Sequence, residues 1–131
     1  MIALVLAVAM QTANPRIVDQ GARGSIQTRR DVVVRTQAEW DALMPSLRGD
    51  QPKAVDFSKE MIVGVFLGSR PTPGYGVTIV SADEENGVLH VKYRETAPQP
   101  GMIAAQVITY PYQVVAIPKS AAKDVKFEKV E

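Results

Sequence analysis

A chain of 131 residues is long enough to bury one core without a metal or a disulfide to help it. Its 15 basic and 14 acidic residues leave a formal charge of +1, so neither nucleic acid nor an anionic membrane surface has an electrostatic reason to bind. There is no cysteine, which excludes disulfides, a thiol nucleophile, thiolate metal sites and an acylated lipoprotein anchor.

The apolar stretch from Ile2 to Met10 has signal-peptide length, far below the roughly 20 residues of a membrane helix. Ala7-Val8-Ala9 has the small-x-small arrangement that signal peptidase accepts, and a polar stretch with Pro15 follows. Residues 1–13 are therefore predicted as a signal peptide and the protein as exported, periplasmic or extracellular. No basic residue precedes the apolar run, which leaves a first β-strand or a buried helix as the other reading. Residues 14–26 are small and polar and are predicted as a flexible linker, within which Arg16-Ile17-Val18 could pair at a sheet edge. One β-rich domain is expected over 27–131.

The β-branched run Asp31-Val32-Val33-Val34-Arg35 reads as a strand. Arg29 and Arg30 flank it, or point to opposite faces, and are not read as a nucleic-acid patch. Next comes a helix. Thr36 and Glu39 have capping-box spacing, and Trp40, Leu43, Met44 and Leu47 fall at i, i+3, i+4 and i+7, so one apolar face meets the sheet and Trp40 belongs to the core. Pro45 should end or kink this helix near Met44. Arg48-Gly49-Asp50 spells an integrin tripeptide but is read as ordinary turn residues. Phe57 is expected to place its ring beneath the sheet.

Met61-Ile62-Val63-Gly64-Val65-Phe66-Leu67 is an unbroken apolar run of strand length, which predicts a spine strand buried on both faces. The Pro/Gly loop Gly68–Gly76 follows, carrying Arg70, Thr72 and Tyr75. The alternation of Leu89, Val91 and Tyr93 against His90, Lys92 and Arg94 then predicts a hairpin. Matching its apolar face to Val77 and Ile79 sets Ile79 opposite Val91 and Val77 opposite Tyr93. The loop must then have an odd length, so Asp83 to Gly87 should be a type I turn closing through a left-handed residue and a bulge, with Asn86 or Gly87 at positive φ, and not a two-residue Asn-Gly turn. This register brings Tyr75 near Glu95, so the loops Gly68–Gly76 and Thr96–Gly101 should stand side by side as a binding rim. Residues 105–119 look strand-like, with Pro111 marking an edge or a bulge, and Val125–Val130 reads as a last strand.

Val55-Asp56-Phe57-Ser58-Lys59-Glu60-Met61, Gly68–Tyr75, Tyr93-Arg94-Glu95 with Pro98–Gly101, and Thr109–Tyr112 leading to Ile117-Pro118-Lys119 together resemble the C-terminal domain of the PrcB family. The resemblance implies a secreted or periplasmic protein, akin to a non-catalytic subunit that helps a subtilisin-like protease complex assemble. Pro73-Gly74 stands where the family has a Gly-Gly pair, and the absent cysteine departs from the family's lipoprotein form. Pro71-Thr72-Pro73-Gly74-Tyr75 is also similar to the inhibitory loop of chagasin-type cysteine-protease inhibitors.

Catalytic chemistry finds little support. His90 is the single histidine and lies on the polar face of a strand, Asp83-Glu84-Glu85 lacks the spacing of a calcium loop, and Glu95 is read as an ion pair holding the two loops together. The sequence therefore predicts a mainly β (α+β) fold, an antiparallel sheet or small sandwich or barrel with one short helix packed on it. The function predicted is non-enzymatic protein binding, without cofactor or metal, through Arg70, Pro71, Thr72, Pro73, Gly74, Tyr75, Glu95, Pro98 and Pro100. Tyr75 would be the anchor and Arg70 the polar contact. The partner implied is a protein, a protease under either resemblance; no nucleic acid and no membrane span are expected, and no oligomeric state is assigned.

Overall fold

The computed structural model describes residues 15–47, 54–101 and 105–131, so the proposed signal peptide and the Arg48-Gly49-Asp50 tripeptide lie outside the described residues. Within the described residues, seven strands and one α-helix follow in the order β1 (Arg16–Gly21), β2 (Arg30–Val34), α1 (Gln37–Leu43), β3 (Glu60–Phe66), β4 (Gly76–Glu85), β5 (Val88–Thr96), β6 (Tyr112–Pro118) and β7 (Asp124–Lys129). They build two sheets, β1-β6-β3-β2 and β4-β5-β7. The first is antiparallel throughout, whereas the second joins an antiparallel hairpin to a parallel β5–β7 pair.

The apolar run of β3 makes it a central strand with residues Met61 to Phe66 buried on both faces, as its composition requires. Met61, Val63 and Val65, with Val115 and Ile117 of β6, face Val77, Ile79, Leu89, Val91 and Tyr93 of the second sheet. Ile62 and Phe66, with Val114 and Ala116, face Trp40, Leu43 and Leu47 instead. The first sheet is thus covered twice, once by the second sheet and once by the helix layer. Phe66 and Tyr112 stack within the helix-side core at 5.3 Å between ring centroids, and Phe57 packs against the same cluster.

The helix is built as its spacing predicts. The Thr36 hydroxyl accepts from the Glu39 N–H at 3.2 Å, and the Glu39 carboxylate accepts from the Arg35 and Thr36 N–H groups. Pro45 falls in a 3-10 turn, Met44–Ser46, that ends the α-helical hydrogen bonding.

Four features depart from the sequence expectation. Within the predicted linker, the edge pairing foreseen for Arg16-Ile17-Val18 extends into a six-residue strand, β1, in which buried Asp19 accepts a 2.7 Å hydrogen bond from the Tyr112 hydroxyl. In the hairpin, Ile79 pairs with Tyr93 and Val77 with Glu95, and a bulge at Val80 shifts the register before Ser81 pairs with Lys92. That extra residue changes the parity of the pairing. The hairpin therefore closes through Asn86 and Gly87 alone, with φ of 54° and 79°, the two-residue turn that a regular ladder would have forbidden. Asp83, Glu84 and Glu85 accordingly end β4 and are not the turn. Finally, Pro111 lies directly ahead of a central strand, where no ladder N–H is required of it, and residues 105–108 outside the named strands are exposed.

The chain crosses between sheets after β6, and Arg35 fixes that crossing. Its guanidinium donates to the Ser120 and Ala122 carbonyls, each at 2.7 Å, while the Ser120 hydroxyl donates to Glu84 at 2.6 Å.

Candidate functional site

The loop that leaves β3 and the segment that leaves β5 meet at one end of the sandwich. Gly76 pairs with Thr96, two residues further along β5 than the predicted register would give, and the loops continue from there side by side. Gly74 sits at φ 104°, and a Cβ on it would lie 2.8 Å from Pro98 Cγ, so the loops touch where only glycine fits.

Arg70 holds this region together from within. Its backbone N–H and C=O both exchange hydrogen bonds with Thr109 at 2.8 Å, which brings a third segment into the rim. Its guanidinium donates to the Leu67 carbonyl at 3.0 Å and the Ser69 carbonyl at 3.2 Å, approaches Glu95 Oε1 to 3.8 Å, and lies 5.8 Å from the centre of the Tyr75 ring. Lys129 of β7 reaches the same Glu95 oxygen at 3.9 Å. The Thr109 hydroxyl donates to the Thr72 carbonyl at 3.1 Å. The guanidinium is therefore engaged inside the protein, and Arg70 acts here as the fastener of the rim.

What the rim turns outward is mostly uncharged. Pro71, Pro73, Gly74 and Pro100 are exposed, and Thr72, Tyr75, Glu95 and Pro98 are half-buried. Next to Thr109, Val107 is 55 % and Ile108 61 % exposed, the largest exposures among the described large apolar side chains. Sequence reasoning placed Arg70, Tyr75 and Glu95 together, and the structure does bring them together. It missed Val107 and Ile108, because an apolar pair ahead of a strand reads as strand; the signal was Pro111, which stops the ladder before reaching them.

A second arginine cluster stands nearby without joining the rim surface. Arg29 donates to the Tyr93 hydroxyl at 2.6 Å, lies 5.1 Å from the centre of that ring, and pairs with Asp31. Burial opposes its charge, but the hydrogen bonds to Asp31 and Tyr93 together with the charge attraction of the same groups raise its pKa. Arg29 thereby ties the segment ahead of β2 to Tyr93, a member of the core between the sheets.

His90 and Glu95 do not converge. His90 lies on the outer face of β5, with Nδ1 2.7 Å from Glu128 Oε2, while Glu95 follows Val91 and Tyr93 on the inner face. The His90 hydrogen bond is the main cause that holds the Glu128 carboxyl below its usual pKa. No cluster of three or more potential metal ligands occurs among the described residues.

The model of a domain family described as PrcB C-terminal matches residues 61–118, from the first buried residue of β3 to the end of β6. The match includes both Pro/Gly loops and the Thr109 segment, and leaves out β1, β2, α1 and β7. No curated protein and no solved structure gives a match.

Proposed function

We propose, for a chain whose residues 61–118 belong to the PrcB C-terminal family, a non-enzymatic role: it is an exported domain that binds a protein partner and serves as an accessory subunit in the assembly of a secreted protease complex. The observation that carries this reading is the rim itself. Three segments fastened around Arg70 present Pro71, Pro73, Val107 and Ile108 to solvent on a rigid β scaffold. Stiff loops lose little conformational entropy on binding, and exposed aliphatic side chains gain from burial. The family membership supports the protease side of the reading, and the apolar, Ala-x-Ala N-terminus supports export.

The test is capture. Immobilised wild-type protein is compared with a Val107→Asp, Ile108→Asp variant of equal melting temperature, each offered the exported proteins of the source cells. Retention of a protease by wild type alone is the expected result. Retention by both forms, or by neither, removes the rim from the function. Protease inhibition through the Arg70–Tyr75 loop is the second reading, favoured by the exposure of Pro71 and Pro73. The same capture separates the two, because turnover by the retained protease falls under inhibition and persists under assembly.

A further inference from the structure

Among the described residues the two sheets present four strand edges, and three of them are blunted against further pairing. A bulge at Val18 breaks the regularity of β1. The bulge at Val80 does the same for β4, whose Ile79 N–H is already taken by the Gln113 side chain at 2.7 Å. Along β7, Asp124, Lys126, Glu128 and Lys129 are all exposed. Bulges and edge charges are the usual defences of an exposed strand.

The fourth edge has neither defence over most of its length. β2 pairs with β3 in unbroken register from Arg30 to Val34, and no described strand pairs with its other side. A groove of about 400 Å³ runs along it, floored by Val32, Val33 and Val34 and walled by Ala42, Leu43 and Ser46 of the helix layer. Three charged residues also line it. Asp31 is paired with Arg29, and Glu39 is occupied by the Arg35 and Thr36 N–H groups. Arg30 is exposed and has no charge partner among the described residues.

We propose that the open edge of β2 accepts one extended segment of a partner protein by strand addition, and that this segment carries a carboxylate opposite Arg30. Backbone hydrogen bonding to β2 would supply the affinity. A strand added beside β2 would turn alternate side chains toward Ala42 and Ser46, where small aliphatic residues suit the lining. The charge supplies direction, because Arg30 stands at one end of the strand and the Glu39 carboxylate, which accepts from the Arg35 N–H, stands at the other. This surface is formed by β2 and the helix layer, outside the matched segment 61–118, so the inference is independent of the rim.

The probe is a blocked hexapeptide, Glu-Val-Thr-Val-Thr-Val, with its reversed sequence and the Lys-for-Glu version of each, titrated into the 15N-labelled protein. Amide shifts confined to residues 30–34 and 39–46 are expected, with one Glu peptide binding about two- to fivefold more tightly than its Lys version, as an exposed ion pair allows. Arg30→Glu should reverse that preference. Ala42→Arg, which fills the groove from an exposed position, should abolish the shifts without lowering the melting temperature. Shifts elsewhere, or no preference between Glu and Lys, overturn the proposal. So does protection of residues 30–34 that rises with protein concentration without peptide, which would identify a second copy as the occupant.

Discussion

The two sheets of this protein differ in how many of their faces are covered. In β3, neighbouring side chains enter different cores, Val63 between the sheets and Ile62 beneath the helix layer. In β5, every second side chain turns to solvent, so Val91 is buried while Lys92 is exposed. A strand covered twice is written as a continuous apolar run and one covered once as an alternation, and this chain holds both patterns.

Alanine substitutions sharpen that difference most. Ile62→Ala should cost about 2–5 kcal/mol, and its neighbour Val63→Ala about 1.5–3 kcal/mol. In β5, Val91→Ala should cost as much as Val63→Ala, but Lys92→Ala should stay within about 0.5 kcal/mol. Denaturant unfolding at constant slope measures all four. A cheap Ile62→Ala would mean that the helix side is not a packed core.

Tyr112→Phe comes next. It leaves the Asp19 carboxylate buried without its 2.7 Å donor, so a loss of about 1–3 kcal/mol is expected. Faster hydrogen exchange along β1 than along β3 should accompany it, since this bond ties β1 to its one neighbour among the described strands. Uniform acceleration across the sheet would show that β1 is no weaker than the spine.

The helix cap gives the smallest effects. Thr36→Ala should cost about 1 kcal/mol. Glu39 titrates below the usual glutamate value, chiefly because the Arg35 N–H donates to its carboxylate, with Thr36 adding to the effect. A depressed folded pKa means that its contribution is complete at neutral pH and is lost as pH falls from the ordinary glutamate value through the folded one. The stability difference between wild type and Glu39→Gln should therefore narrow over that acidic window. A difference that does not change with pH would detach the Glu39 charge from the cap.

Periodicity alone made the doubly covered spine strand, the capped helix and the apolar face of the hairpin readable in the sequence. The Thr36-to-Glu39 spacing and the position of Pro45 marked the helix ends for the same reason: each acts through backbone groups a few residues away. The register of the hairpin failed because Val80 suits both a regular strand and a bulge, and one extra residue leaves no mark on composition. Arg16-Ile17-Val18 was readable as an edge pair, but the rest of β1 was hidden by the polar residues Asp19 and Gln20, whose partners Tyr112 and Gln113 lie 93 residues away. In the rim, proline and glycine announced two stiff loops. The inward engagement of Arg70 and the exposure of Val107 and Ile108 depended on the pairing of Arg70 with Thr109, which no local pattern records.

The strand order β1-β6-β3-β2 also sets when this fold can form. β2 and β3 can pair as soon as both exist, and so can β4 and β5, but among the described strands β1 has no neighbour other than β6. Until Tyr112–Pro118 arrives, the first strand has nothing to join and β3 keeps one side open. Closing so long a loop costs chain entropy before any contact rewards it, which places folding in the slow, millisecond-to-second regime of non-local β proteins. The sheet therefore stays incomplete until β6 is made, and that strand decides when the domain can close.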